Sequence, residues 1–338
     1  MSSTDFFSLE ITDTAIKIFD GEILSKEIVA KKISFLDNLP FSFFAKDTPD
    51  TSQKFAQIIK KLVSDLKINK KKVNLIIPDT YTYSQILTVP FLNEKELSSA
   101  IKYQADQFIP LPIEEINIDF EIIEQNEKEK TLLVLVAAVS KKIAQKIEET
   151  VELAGLIPIY LENQLSAFGR FINKFSDLLS QESNRKTFFI NLEKNSTSLY
   201  FINQNKYLIS KIHTFNIGYD LFFKEIRINT SLEDNKIKDL LYNFDIKNQE
   251  NIDIEKMVSP ITKQFIFEVK KIVTPPAIGF LIGDIVKFPA LNKILIKNIN
   301  IPISFSIFNP YSLFKKDNQI ENYREKLTFF LTTIGGLI

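Results

Sequence analysis

Two short runs open the two halves of this 338-residue chain in the same way: Phe6-Phe7-Ser8-Leu9-Glu10 and Phe188-Phe189-Ile190-Asn191-Leu192. Each is followed by a polar turn, a β-rich run and a second strand-like stretch. Aromatic and branched residues of this kind fit a pleated, half-buried surface, so both runs read as strands. A strand-turn-strand unit that returns in the second half predicts a duplicated fold, two similar halves with a cleft between them. Elsewhere strand-like segments alternate with helix-like ones, which is the pattern of an α/β protein.

Local signals fill in the first half. Phe6 to Phe19 reads as two strands around the turn Thr12-Asp13-Thr14. Thr51 to Leu66 reads as a helix with Phe55, Ile58, Ile59, Leu62 and Leu66 on one face. Val73 to Ile77 and Ile86 to Val89 are short strands, each ending at a proline. Asn93 is placed to cap a helix, Glu96 to reach back from the third position, and Leu92 and Leu97 to staple its entry. The apolar stripe Leu97, Ala100, Ile101, Ala105, Phe108, Ile109 follows; Pro110 stops it and Pro112 keeps the next residues extended. Ile116 to Ile123 and Thr131 to Val139 read as strands. Ser140 then caps a helix that Gly155 terminates.

Composition excludes several function classes. Lys and Arg total 42 against 42 Asp and Glu. The clusters Lys60-Lys61 and Lys70-Lys71-Lys72 are short, so no nucleic-acid partner is expected. There is no Cys and one His, His213, which removes disulfides, thiolate metal sites, Cys nucleophiles and His-based triads. Met1 to Leu9 lacks a basic segment and carries Asp5, unlike a secretory signal. The longest apolar run, Leu132 to Val139, falls short of the about 20 residues that span a bilayer. A soluble cytoplasmic protein is expected.

The stretch Leu75 to Ile123, LIIPDTYTYSQILTVPFLNEKELSSAIKYQADQFIPLPIEEINIDFEII, resembles the PilM family of type IV pilus assembly. That family has a strand ending in Pro, a P-x-L-x-x-x-E-L helix start, a helix ending in QxIP-x-P, acidic residues and a D-(F/Y) strand. Here they are Pro90 to Leu97, Gln104 to Pro112, Glu114-Glu115 and Asp119-Phe120. Leu132 to Val139, Ala154-Gly155-Leu156, Glu162 through Phe171, Ile217-Gly218 and Phe288 to Leu291 fall at further landmarks. The resemblance implies an α/β, two-lobed actin-like (ribonuclease H-like, duplicated) fold. The first lobe would cover 1–180, with an inserted α+β subdomain at about 80–155. The second would cover 185–338, with a small subdomain at about 214–275.

It also implies a place for ATP and Mg²⁺, held by Gly-rich turns whose backbone amides surround the phosphates. In the family these turns read roughly D-I-G-x-S-x-x-K, D-I-G-x-x-x-T and G-G-G-A. The first becomes Glu10-Ile11-Thr12-Asp13-Thr14-Ala15-Ile16-Lys17: the Lys is kept, but Asp is replaced by Glu10 and Gly by Thr12. The second becomes Asn191-Leu192-Glu193-Lys194-Asn195-Ser196-Thr197, where Asn191 lacks the carboxylate and Glu193 stands for Gly. The third, Ile282-Gly283-Asp284-Ile285, keeps one Gly, and Gly218 lies at a further landmark. Two readings stay open: a weakened ATP site, or turns that only build the fold. Glu10 and Glu162 are a candidate divalent-cation pair, the alternative being a surface ion pair.

The family resemblance implies, finally, a groove between the inserted subdomain and the first lobe that takes the cytoplasmic tail of PilN, an inner-membrane pilus protein. Phe108, Ile109, Leu111 and Ile113 border that groove, the alternative being core packing. The implied role is a non-enzymatic cytoplasmic scaffold, ring-forming, in contact with pilus motor ATPases and reaching the membrane through partners. A phosphoryl-transferring enzyme would need intact phosphate turns and a catalytic Asp. An FtsA-like filament would need a basic amphipathic C-terminal helix. Lys326 to Ile338 is apolar with Lys326 as its one base, and is expected to pack onto the second half.

Overall fold

Strand β1 (Phe6–Ile11) turns at Thr12–Thr14 into β2 (Ala15–Ile23), which pairs with β3 (Ile28–Asp37). The computed structural model describes residues 4–37, 39–45, 49–179, 186–203, 208–242, 253–299 and 303–338. Helix α1 (Pro49–Asp65) crosses over to β4 (Lys72–Ile77), which runs parallel to β1. A small separate sheet follows, from β5 (Thr82–Pro90), α2 (Glu94–Phe108), β6 (Ile116–Asn126) and β7 (Thr131–Ser140). Helix α3 (Lys141–Leu153) returns to the main layer beside α1, then β8 (Ile157–Asn163) joins β4 and α4 (Gln164–Lys174) closes the run.

The second unit has β9 (Lys186–Leu192), β10 (Thr197–Asn203) and β11 (Leu208–Phe215). Then come α5 (Tyr219–Thr230), α6 (Asp234–Tyr242), α7 (Ile254–Ile272), β12 (Ala277–Ile282), α8 (Pro289–Ile299) and β13 (Ile303–Ile307). The main sheets run β3-β2-β1-β4-β8 and β11-β10-β9-β12-β13. Both are antiparallel on one side of the central strand and parallel on the other. The weak sequence repeat is therefore a full repeat of topology. The boundary expected near 180–185 and part of the small subdomain expected at 214–275, residues 243–252, lie outside the described residues.

The central strands are buried on both faces, which is why β1 (FFSLEI) and β9 (KTFFINL) read as nearly continuous apolar runs. Phe7, Leu9, Ile11, Phe55, Val73 and Leu75 belong to one core with Ile147 and Val151 of α3. Phe43 meets Phe55 edge to face at 4.8 Å, a favoured aromatic geometry.

In the small sheet β7 is central, between β5 and β6. Its even-numbered residues Leu132, Val134 and Val136 pack under Leu97 and Ile101 of α2. The capping box is present, with Asn93 Oδ1 accepting from Glu96 N and Glu96 Oε2 from Asn93 N, both at 3.0 Å. Gly155 has φ +83°. Ser140 sits at the N-cap of α3, but its side chain makes no capping bond.

One expectation is corrected in part: of the segment Lys326 to Ile338, residues 326–329 do belong to the second unit. After α9 (Asn318–Tyr323), residues 330–338, with α10 (Leu331–Gly335), belong to the first unit and pack on α4 and β1. Two glycines allow this approach: a Cβ on Gly335 would lie 1.9 Å from Ala167 O, and one on Gly336 2.7 Å from Ser8 Oγ. No helix among the described residues is long and apolar enough to cross a membrane.

Candidate functional site

In the first unit the expected phosphate turn closes on itself. Thr12 N donates to Ala15 O at 2.8 Å, and Thr12 Oγ1 accepts from the amides of Thr14 at 3.2 Å and Ala15 at 3.0 Å. A side-chain oxygen thus takes amides that a glycine turn would leave for an anion. Asp13 Oδ1 accepts from Ser42 Oγ at 2.6 Å and from Tyr81 OH at 2.7 Å. Burial, and the charge of Asp13, push the Tyr81 phenol far above its ordinary range.

Glu10 is fully buried at the end of β1. Its Oε1 accepts from Lys17 Nζ at 3.1 Å and Gln164 Nε2 at 2.7 Å, and its Oε2 accepts from Thr332 Oγ1. Lys17 is itself 2% exposed, so the pair is shut away from solvent. Gln164 stands at the first turn of α4, where its Oε1 accepts from Asp79 N at 3.1 Å and Asp79 Oδ1 accepts from Leu165 N at 3.2 Å.

In the second unit the matching residues converge at one end of the sheet. Asn191 Nδ2 donates to Tyr200 OH at 3.2 Å, Glu193 N donates to Ser196 O at 3.0 Å, and Thr197 Oγ1 donates to Ile217 O at 2.5 Å. Gly218 precedes α5, and a Cβ there would lie 2.0 Å from Lys194 O. That closeness lets the first amides of α5, Tyr219 N and Asp220 N, donate to the carbonyls of Glu193 and Lys194 at 3.0 Å each. Such amides are where a helix N-terminus ordinarily meets an anion. Gly283, with φ +84°, lies over Asn191 and Glu193: its Cβ would come within 2.2 Å of Asn191 Oδ1 and 3.1 Å of Glu193 Oε1. Asp284 pairs with Lys287 at 3.4 Å, both buried.

Glu162, the other half of the candidate cation pair, has donors of its own. Arg170 Nη2 reaches both its oxygens at 2.6 Å and Asn74 Nδ2 reaches Oε1 at 2.5 Å. Burial raises its pKa above the ordinary carboxylate value, against the pull of Arg170 and Asn74, and Glu121 adds to the rise. The alternative to a cation pair was a surface ion pair; Glu10–Lys17 and Glu162–Arg170 are ion pairs, but the first is wholly buried and the second largely so.

Glu162, Arg170 and Asn74 border a cavity of about 580 Å³ between the small sheet and the β8 edge. Asp119, Glu121, Leu135 and Ala137 line it from the small sheet, and Phe6, Asn74, Tyr160, Glu162 and Arg170 from the main layer, with Gly336 to Ile338 beside them. A smaller cavity of about 200 Å³ shares Asp119, Ala137, Leu161 and Glu162. Asn74 also donates to Gly336 O at 2.8 Å, and Arg170 Nε to Gly335 O at 3.2 Å, so the C-terminal segment is part of the wall. Asn74 Oδ1 is buried without a hydrogen-bond partner among the described residues.

Phe108, Ile109, Leu111 and Ile113 line neither cavity. Ile109 is buried with Ala105, Ile116 and Ala138, and the other three pack against that cluster. The residues that do build the cavity wall were hidden by distance. Asn74 bonds Gly336 across 262 positions, and Arg170 bonds Gly335 across 165. Arg170 and its partner Glu162 both lie within the Glu162–Phe171 motif, but the sequence does not show that they pair.

The model of a family described as type IV pilus assembly protein PilM matches residues 9–270. Among solved structures, a PilM-PilN type IV pilus biogenesis complex aligns with 99% of this chain and 98% of that chain at TM-score 0.79 and 19% identity. The ethanolamine utilization protein EutJ from Carboxydothermus hydrogenoformans aligns with 98% of this chain and 88% of its own at TM-score 0.53 and 10% identity. These likenesses concern the fold, which is a duplicated actin-like α/β fold.

Proposed function

Because this chain belongs to the PilM family of type IV pilus assembly proteins, we propose that it is a non-catalytic scaffold of that machine which holds the cytoplasmic tail of a PilN-like membrane protein. The family match over residues 9–270 carries the reading. The cavity of about 580 Å³ supports its location: an apolar floor with a few polar groups between two elements suits an extended peptide. Phe108, Ile109, Leu111 and Ile113 then serve the site from behind, by holding α2 on its sheet.

ATP and Mg²⁺ fit the turns poorly. Thr12 already occupies the amides of Thr14 and Ala15, Lys17 neutralises Glu10, and the buried Glu193 would face phosphate oxygens. In this reading Glu10, Thr12, Asp13, Thr14, Lys17, Asn191, Ser196, Thr197, Gly218, Gly283 and Asp284 build turns, and Glu10 and Glu162 hold side chains instead of a cation. The protein works at the cytoplasmic face of the membrane through partners, with a homo-oligomeric ring and pilus motor ATPases as further contacts.

The test is calorimetric titration with a synthetic peptide of the PilN-like protein's cytoplasmic N-terminus. Binding to the unmodified protein and its loss in Ala137→Trp, which fills the cavity floor, is the expected result. Binding undiminished by Ala137→Trp would move the tail elsewhere.

A further inference from the structure

The cavity carries an uneven charge. Across β6 and β7, Asp119 stands opposite Ala137 and Glu121 opposite Leu135, so an acidic rim borders an apolar floor. The charged residues lining it are three carboxylates, Asp119, Glu121 and Glu162, and one guanidinium, Arg170. Arg170 is committed to both oxygens of Glu162. Asp119 Oδ1 accepts from Phe120 N at 2.8 Å. The carboxylate of Glu121 has no hydrogen bond or ion pair among the described residues, although it lies near enough to Glu162 to be felt by it. Beside it is a second unanswered group. Asn74 is 2% exposed and gives its amide hydrogens to Glu162 and Gly336, while its Oδ1 accepts nothing among the described residues.

Asn74 Oδ1 is too enclosed to meet a bound chain, so among the described residues the accessible unpaired group is the Glu121 carboxylate. An acidic rim beside an apolar floor is complementary to an apolar stem that ends in positive charge. A divalent ion suits this poorly, because Arg170 holds Glu162. A long basic side chain suits it well, since such chains lay their stems on apolar surface and keep the charged end at a polar rim.

We propose that the cavity takes one Lys or Arg side chain of the bound tail, with its stem on Leu135 and Tyr160 and its cation against Glu121. The proposal rests on the tail reading and adds its charge specificity.

The experiment is fluorescence anisotropy with two labelled peptides: the cytoplasmic N-terminal segment of the PilN-like protein, and the same segment with every Lys and Arg replaced by Gln. The substituted peptide should bind roughly tenfold more weakly, as for a partly desolvated charge pair. Glu121→Gln should weaken the native peptide by a similar factor and leave the substituted one unchanged. Equal binding of the two peptides, or an equal effect of Glu121→Gln on both, overturns the proposal and leaves the tail reading standing. If neither peptide binds the unmodified protein, or both bind Ala137→Trp undiminished, the tail reading fails and the proposal falls with it.

Discussion

The β1–β2 turn and the cavity beneath the small sheet lie in the same unit and are built from the same kinds of residue. Each has a buried carboxylate, a cation and an amide or hydroxyl donor. In the turn every one of these groups is answered from within: Glu10 by Lys17, Gln164 and Thr332, and Asp13 by Ser42 and Tyr81. In the cavity Glu162 is answered by Arg170, but among the described residues Asn74 Oδ1 and the carboxylate of Glu121 are not. A satisfied polar network rigidifies its surroundings, whereas a buried polar group left unsatisfied is uncommon. The turn that resembles a ligand site by motif has become structure. The surface that carries no ligand motif has the unfilled chemistry.

The comparison breaks most readily at Lys17. Lys17→Met leaves Glu10 buried without its counter-ion, and should destabilise the first unit by about 3–5 kcal/mol in chemical denaturation. A change below about 1 kcal/mol would mean that the turn is not the closed network described here. Ile109 separates core from contact surface. Ile109→Ala should cost about 2–4 kcal/mol of stability while the folded fraction binds the tail with unchanged affinity. A loss of affinity with stability intact would return the α2 end to the partner surface.

The smallest effect concerns Glu162. Its pKa is raised in the folded chain, chiefly by burial, so the folded state binds more protons than the unfolded one above the ordinary value of 4.5. Its contribution to stability is full below that value and is lost as pH rises through the raised one. The stability of the native chain relative to Glu162→Gln should therefore fall with rising pH across that window. A difference that rises with pH would show that Arg170 outweighs burial.

Local chemistry made much of this fold readable. The Asn93–Glu96 capping box, Gly155 and the apolar runs of β1, β4, β7 and β9 each declare themselves within a few residues. So did the candidate turns, because a missing glycine is a local fact. The cavity was not readable, because its wall joins Phe6, Asn74, Glu121, Tyr160 and Gly336, which no periodicity connects. That residues 330–338 belong to the first unit was not readable for a related reason. Their composition said that they were buried, while Gly335 and Gly336, the residues that fix where they dock, act through contacts with Ala167 and Ser8.

The most direct test of the contrast is a thermal-shift titration of the purified protein with Mg-ATP. A ligand that binds only the native state at about 100 times its Kd adds roughly 2.7 kcal/mol of stability. The closed turns predict no Mg-dependent shift at millimolar ATP, in a protein that the PilN-like peptide does stabilise. A clear Mg-dependent rise, reduced by Lys17→Met in protein that still folds, would contradict the account and make this chain a nucleotide-regulated scaffold.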